Sequence, residues 1–310
     1  MFTRPRSRCA SSALALLAAA TVTSDAGADA DGWRRTITIN AVVRDFRPFT
    51  ESGGHEDFQR FYSGYPRMGL VTETLGSDGR PELASRFGDW RVSNYADLEG
   101  RAVRPQLVID GIVPGIEGHL LPATSASIWS SASFDTWFRD VPGVNLSTMV
   151  PLVLVETAPG SGEYVFDAAA ADPDYNPLFA DLPIPGFFPI NDRLFGNFAG
   201  FDGGSTNYHF TTEFAATFVH QAGTDRTFQF RGDDDVWVYI NGRLVIELGG
   251  IHGADVQTIA VDELDWIEDG QTCTLHLFHA QRRTAQSNFR IHTTIPLHSF
   301  ASVMVADAFD

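Results

Sequence analysis

The chain has 310 residues, of which 44% are hydrophobic and 12% aromatic, and it carries a formal net charge of −17. That apolar content marks a folded protein rather than a disordered one, and so acidic a surface disfavours nucleic acid and anionic membranes as partners. All 22 basic residues are arginine, which excludes a lysine nucleophile, a Schiff base and a lysine-bearing phosphate loop.

Residues 1–30 read as an export signal. Arg4, Arg6 and Arg8 form a basic start, Ser12 to Val22 is an apolar small-residue stretch, and Ala28 and Ala30 close two plausible cleavage sites. The stretch is too short to span a bilayer, so no membrane insertion is expected. Cys9 precedes the stretch, which argues against a lipid anchor. Cleavage leaves Cys273 as the sole cysteine, so stability must come from the core or from bound metal. The remaining chain, about 280 residues, is long enough to bury a sizeable core. It is expected to be secreted, with residues 31–300 as one domain and 301–310 as a tail.

In chain order, Thr36 to Asp45 alternates apolar and polar residues and predicts a strand. His55 to Tyr62 and Ala132 to Arg139 predict short helices, and Leu152 to Glu156 and Tyr164 to Asp167 predict strands. Residues 91–131 give no reading, and Asp172 to Pro189, rich in proline and aromatics, predicts a long ordered loop. From His209 onward strands follow closely: His209 to Val219, Thr227 to Phe230, Val236 to Ile240, Arg243 to Leu248, Asp255 to Val261, Cys273 to Ala280 and Asn288 to Ile295. Asn241-Gly242 is a hairpin turn signal. Short strands at this spacing predict an all-β, antiparallel sandwich. Arg44-Asp45 and Arg139-Asp140 are expected to act as charged struts.

Asp233, Asp234 and Asp235 stand directly before one of these strands. Three adjacent carboxylates resist joint ionisation unless a cation sits among them, and calcium takes about six to eight hard oxygen ligands. A solvated acidic turn fits the same residues. Zinc is not expected. His276 and His279 have opposite strand parity, and Cys273 and His279 lie about 20 Å apart at ~3.3 Å per residue. No enzyme is expected either. The three aspartates are too close in sequence to flank a glycosidic bond, and no Gly-x-Ser-x-Gly elbow is present.

Several short blocks in order resemble the fibro-slime domain family: Val43-Arg44-Asp45-Phe46, His55-Glu56-Asp57-Phe58, Phe134 to Asn145, Phe187-Phe188-Pro189-Ile190, Asn207 to Glu213, Gly232-Asp233-Asp234-Asp235, Leu248-Gly249-Gly250-Ile251-His252, Phe278 to Arg283 and Ser287 to Ile291. That family is similar to the protective-antigen-like lectin domains, β-sandwiches of adhesins and other extracellular proteins. The resemblance implies a lectin-like core over about 200–296. It also implies calcium held by Asp233 and Asp234 across a cis peptide, with Gln281 and Asn288 completing the metal site. Asp235 (as a rim residue), His252, Arg282, Arg283 and Ser287 are implied around the ligand. The sequence departs from the family pattern at Gln281 and Arg283, where Glu and His are usual, and at Glu247, where Asp is usual. The implied function is a calcium-dependent module that binds a glycan or extracellular polymer in adhesion or a matrix. The alternative is a structural or assembly protein of a matrix with no sugar site.

Overall fold

Period-two hydrophobicity builds almost everything here, because alternate side chains of a strand reach opposite faces. The computed structural model describes residues 33–62, 64–92, 120–170, 185–199, 203–204 and 206–299. The expected signal segment, the C-terminal tail and most of the 172–189 loop lie outside them. The compact unit starts at Trp33. Its strands are β1 (Thr36–Phe46), β2 (Arg67–Met68), β3 (Trp90–Val92), β4 (Leu120–Pro122), β5 (Asn145–Glu156), β6 (Tyr164–Asp167), β7 (Phe210–Val219), β8 (Thr227–Gly232), β9 (Asp235–Ile240), β10 (Arg243–Leu248), β11 (Asp255–Ala260), β12 (Thr272–Gln281), β13 (Phe289–Thr293) and β14 (His298–Ser299).

The fold is an antiparallel β-sandwich. Hydrogen bonding runs in the order β10-β9-β12-β7-β1-β5-β6-β13-β8-β11, with β14 on the second half of β7 and a small separate sheet β2-β3-β4. The main core lies between the sheet faces. It gathers Ile39, Ala41 and Val43 from β1, Phe214, Ala216 and Phe218 from β7, Phe228 and Phe230 from β8, Val236 and Val238 from β9, and Cys273, Leu275 and Leu277 from β12. The predicted alternation therefore holds along these strands. β5 starts earlier than the sequence suggests, because Pro151 sits inside it opposite Asn40. Asn241 and Gly242 both take positive φ, at 50° and 77°, as a tight two-residue hairpin requires.

A second core covers the outer face of β9 and β12. Phe134, Trp137 and Phe138 pack on Trp237, Tyr239 and Phe278, with Phe46, Phe58, Leu70 and Ile128 around them. This is why all six residues of β9 are buried. Only Ser131–Phe134 (α1) of the expected 132–139 helix is helical; Asp135 to Phe138 form turns. His55 to Tyr62 is not a helix. Gln59 has φ 66°, outside the right-handed helical region, and the His55 ring is fixed to Thr136 Oγ1 at 2.9 Å.

The charged struts are partly re-paired. Arg44 bonds Asp140 at 2.8 Å and Glu213 at 2.9 Å, and Arg139 reaches Asp78 at 2.7 Å. Asp45 instead accepts from Asn207 Nδ2 and the Phe195 amide. On β10, Leu244 N donates to Glu73 O, Leu75 N to Gly242 O, and Arg67 and Gly249 exchange both backbone bonds. Glu247 N donates to Gln257 Oε1 on β11 at 3.1 Å.

Candidate functional site

The Asp triplet stands where β8 hands over to β9. Gly232 ends β8, and a Cβ there would come within 2.4 Å of Asn288 O, so only glycine lets the lead-in to β13 approach so closely. The Asp233–Asp234 peptide is cis. Asp233 and Asn288 clasp each other. Asp233 N donates to Asn288 O at 3.2 Å, Asn288 N to Asp233 Oδ1 at 2.7 Å, and Asn288 Nδ2 to Asp233 Oδ2 at 2.6 Å. Asp234 Oδ2 accepts two successive amides of the late loop, Arg282 N at 3.0 Å and Arg283 N at 3.1 Å. Oδ1 of Asp234 and Oδ1 of Asn288 make no hydrogen bond among the described residues.

Burial dominates the electrostatics. It raises the Asp233 carboxyl above its ordinary pKa and raises Asp234 well above it, the latter with help from the Asp233 charge. Behind them His279 is pushed down to about 4 by burial. It is therefore neutral near pH 7, and its Nε2–H donates to Asp233 O at 2.8 Å. Phe187, Phe210, Phe230 and Phe289 surround its ring.

Two residues expected at the ligand face inward instead. Asp235 is not a rim residue: its Oδ1 accepts Gly250 N at 2.5 Å, its Oδ2 accepts Arg282 Nε at 2.6 Å, and both side chains are fully buried. Arg282 also donates to Ser127 O and lies over the Trp137 and Tyr62 rings. Ser287 spends its hydroxyl on Phe187 O at 2.6 Å. The His252 ring nitrogens meet Gly253 O and Leu248 O. Gln281 braces the late loop through Nε2 to Arg283 O and Gln286 O, while its buried Oε1 has no partner. Arg283 turns its guanidinium over the Phe61 ring, 4.9 Å from the centroid.

The donors gathered here fit calcium. They are hard oxygens only: the Asp233 and Asp234 carboxylates, the Asn288 carboxamide, the orphaned Gln281 Oε1 and loop carbonyls. Among the described residues no three His, Cys, Asp or Glu side chains form a ready-made metal cage, so carboxamide and backbone oxygens have to take part.

Sequence reasoning missed the role of Asp57 and Gln59. Gln59 N donates to Arg282 O at 2.6 Å and its side chain bonds Thr284 Oγ1, while His209 donates to Gln59 Oε1. Asp57 accepts from Trp129 N, Trp137 Nε1 and the Tyr62 hydroxyl. The signal was present in the block His55 to Phe58, but the helical reading of that segment hid it.

These strands, with the Asp pair at the start of one, have a counterpart among known proteins. Residues 196–297 match the PA14 domain family. The matched PA14 stretch runs through β7 to β13 and contains all nine residues nominated from the sequence for metal and ligand. The protein psiH of Dictyostelium discoideum is 34% identical over 284 residues, covering 88% of this chain and 33% of its own length. The protein psiQ of the same organism is 28% identical over 273 residues, covering 85% of this chain and 22% of its own. This chain thus spans only a minor part of these curated relatives. Among solved structures, a PA14 sugar-binding domain from an RTX adhesin is 19% identical over 30% of this chain and 48% of that one, with a TM-score of 0.21. Asp57, Gln59, Phe61 and Ser127, which brace the site, lie outside the PA14 match.

Proposed function

We propose that this protein is an exported, non-enzymatic binding module of the fibro-slime type that recognises a glycan or extracellular polymer through calcium at Asp233 and Asp234. One observation carries the reading. Three adjacent carboxylates are buried together, and among the described residues only Asp235 has a guanidinium, that of Arg282, against it. Removing unpaired charge from water is costly, so the pair Asp233 and Asp234 calls for a cation. A divalent ion bound there supplies that charge together with free coordination positions for hydroxyl oxygens. The protein's own part is to hold the donors: Asn288 clasps Asp233, and the Arg282 and Arg283 amides fix Asp234. The PA14 match over this stretch and the resemblance of the sequence to lectin-like domains support a carbohydrate as ligand. The basic and apolar start of the chain supports export.

The test is thermal melting of the full chain in calcium and in chelator, followed by glycan-array binding under both conditions. The melting temperature is expected to rise with calcium and array signal to appear only in calcium. An unchanged melting temperature at millimolar calcium overturns the metal assignment, and an array blank in calcium overturns the sugar.

A further inference from the structure

Arg283 joins two neighbourhoods. Its backbone N–H donates to Asp234 at 3.1 Å, while its guanidinium lies 4.9 Å from the centre of the Phe61 ring. Phe61 is 72% exposed, unusual for a phenylalanine at a built surface. The two segments that present these side chains are pinned together: Gln59 N donates to Arg282 O at 2.6 Å, and Gln59 Nε2 donates to Thr284 Oγ1 at 3.2 Å. The ring and the guanidinium are therefore set before any ligand arrives.

Arg283 belongs with the arginines, Arg47 and Arg243 among them, that lie over an aromatic ring with no salt bridge among the described residues. Arg44, Arg139, Arg282 and Arg290 all face carboxylates. Arg283, only partly buried, has no ion pair among the described residues on a chain of net charge −17. A guanidinium held over an aromatic ring still has N–H groups to offer a ligand, and they match a carboxylate through two parallel hydrogen bonds. The exposed ring offers an apolar face beside it.

We infer that Arg283 and Phe61 form a second subsite, next to the Asp233–Asp234 mouth, that takes a carboxylate-bearing (uronic acid) unit of an acidic polysaccharide. The inference rests on the proposed sugar binding at that mouth and gives it a substrate class. It also sets a condition. The bare Asp233 and Asp234 carboxylates repel an anion, so the preference for an acidic sugar appears only when a cation occupies the pair.

The experiment is calorimetric titration of the full chain with a galacturonic acid tetrasaccharide and with its methyl ester, in calcium. The wild type is expected to bind the acid about tenfold or more tightly than the ester. R283Q, which keeps the backbone amide on Asp234, is expected to bind acid and ester alike, with the calcium-dependent rise in melting temperature still present. F61A is expected to weaken binding of both sugars. Equal affinity for acid and ester, or a preference that survives R283Q, overturns the subsite and leaves the sugar reading standing. Binding of neither sugar by the wild type in calcium overturns both.

Discussion

Arg282 and Asp235 meet at 2.6 Å with both side chains wholly withdrawn from solvent. Arg282 also ties the late loop to two earlier segments, since it donates to Ser127 O and its carbonyl accepts Gln59 N. A buried ion pair is a weak source of net stability, but losing one partner strands the other. R282M is therefore expected to cost about 3–5 kcal/mol by urea denaturation. Adding D235N should recover part of that loss, because position 235 is then not left as a buried charge without its partner.

D234N separates the ion from the fold. An asparagine oxygen can still accept the Arg282 and Arg283 amides that Asp234 holds at 3.0 and 3.1 Å. The metal-free variant should melt at or above the wild-type temperature, since a carboxyl that burial pushes well above its usual pKa is gone. Its response to calcium should vanish. Wild type should gain about 2.7 kcal/mol at a hundredfold excess of calcium over Kd, read from the shift in melting temperature.

Glu247 governs a pH dependence away from the ion. Its carboxylate accepts Gly69, Leu70 and Val71 amides and the Trp237 indole, yet burial outweighs these donors and lifts it from 4.5 to about 7. A carboxyl whose folded pKa lies above its unfolded value takes up a proton on folding. Its contribution is complete below the unfolded pKa and is lost as pH rises through about 7. Asp45, also raised to about 7 by burial, has the same sign. In chelator, the protein should melt higher at about pH 5.5 than at about pH 8, and E247Q should narrow that gap.

Trp137 tests the second core. It is fully buried, packs on Phe134 and Trp237, and donates to Asp57. W137A is expected to cost about 3–5 kcal/mol. Fluorescence and circular dichroism should still report a single coincident transition, because the half that Trp137 belongs to shares its core with β9 and β12.

Strands such as β7, β8 and β13 were legible because each buries alternate residues in the main core, as in Phe214, Ala216 and Phe218. The Asp triplet was legible as a cluster of carboxylates at a strand start, because the apolar run Val236 to Ile240 follows it directly. The bracing half was not. Its residues Asp57, Gln59 and Ser127 act through single backbone or side-chain bonds to partners about 70 to 225 positions away, and no local periodicity encodes such pairings. Asp235 was misread for the same reason. Its partner, Arg282, is 47 positions distant, so the sequence showed a third charge in a row and not the ion pair that buries it.

The outward side of β10 has a consequence for assembly. Along it the Leu244 amide donates to Glu73 and the Glu247 amide to Gln257, and at its two ends Gly242 accepts Leu75 N and Gly249 pairs with Arg67. A strand from another molecule would find no row of free backbone groups along it. Adding a strand at this margin would first require these contacts to be broken.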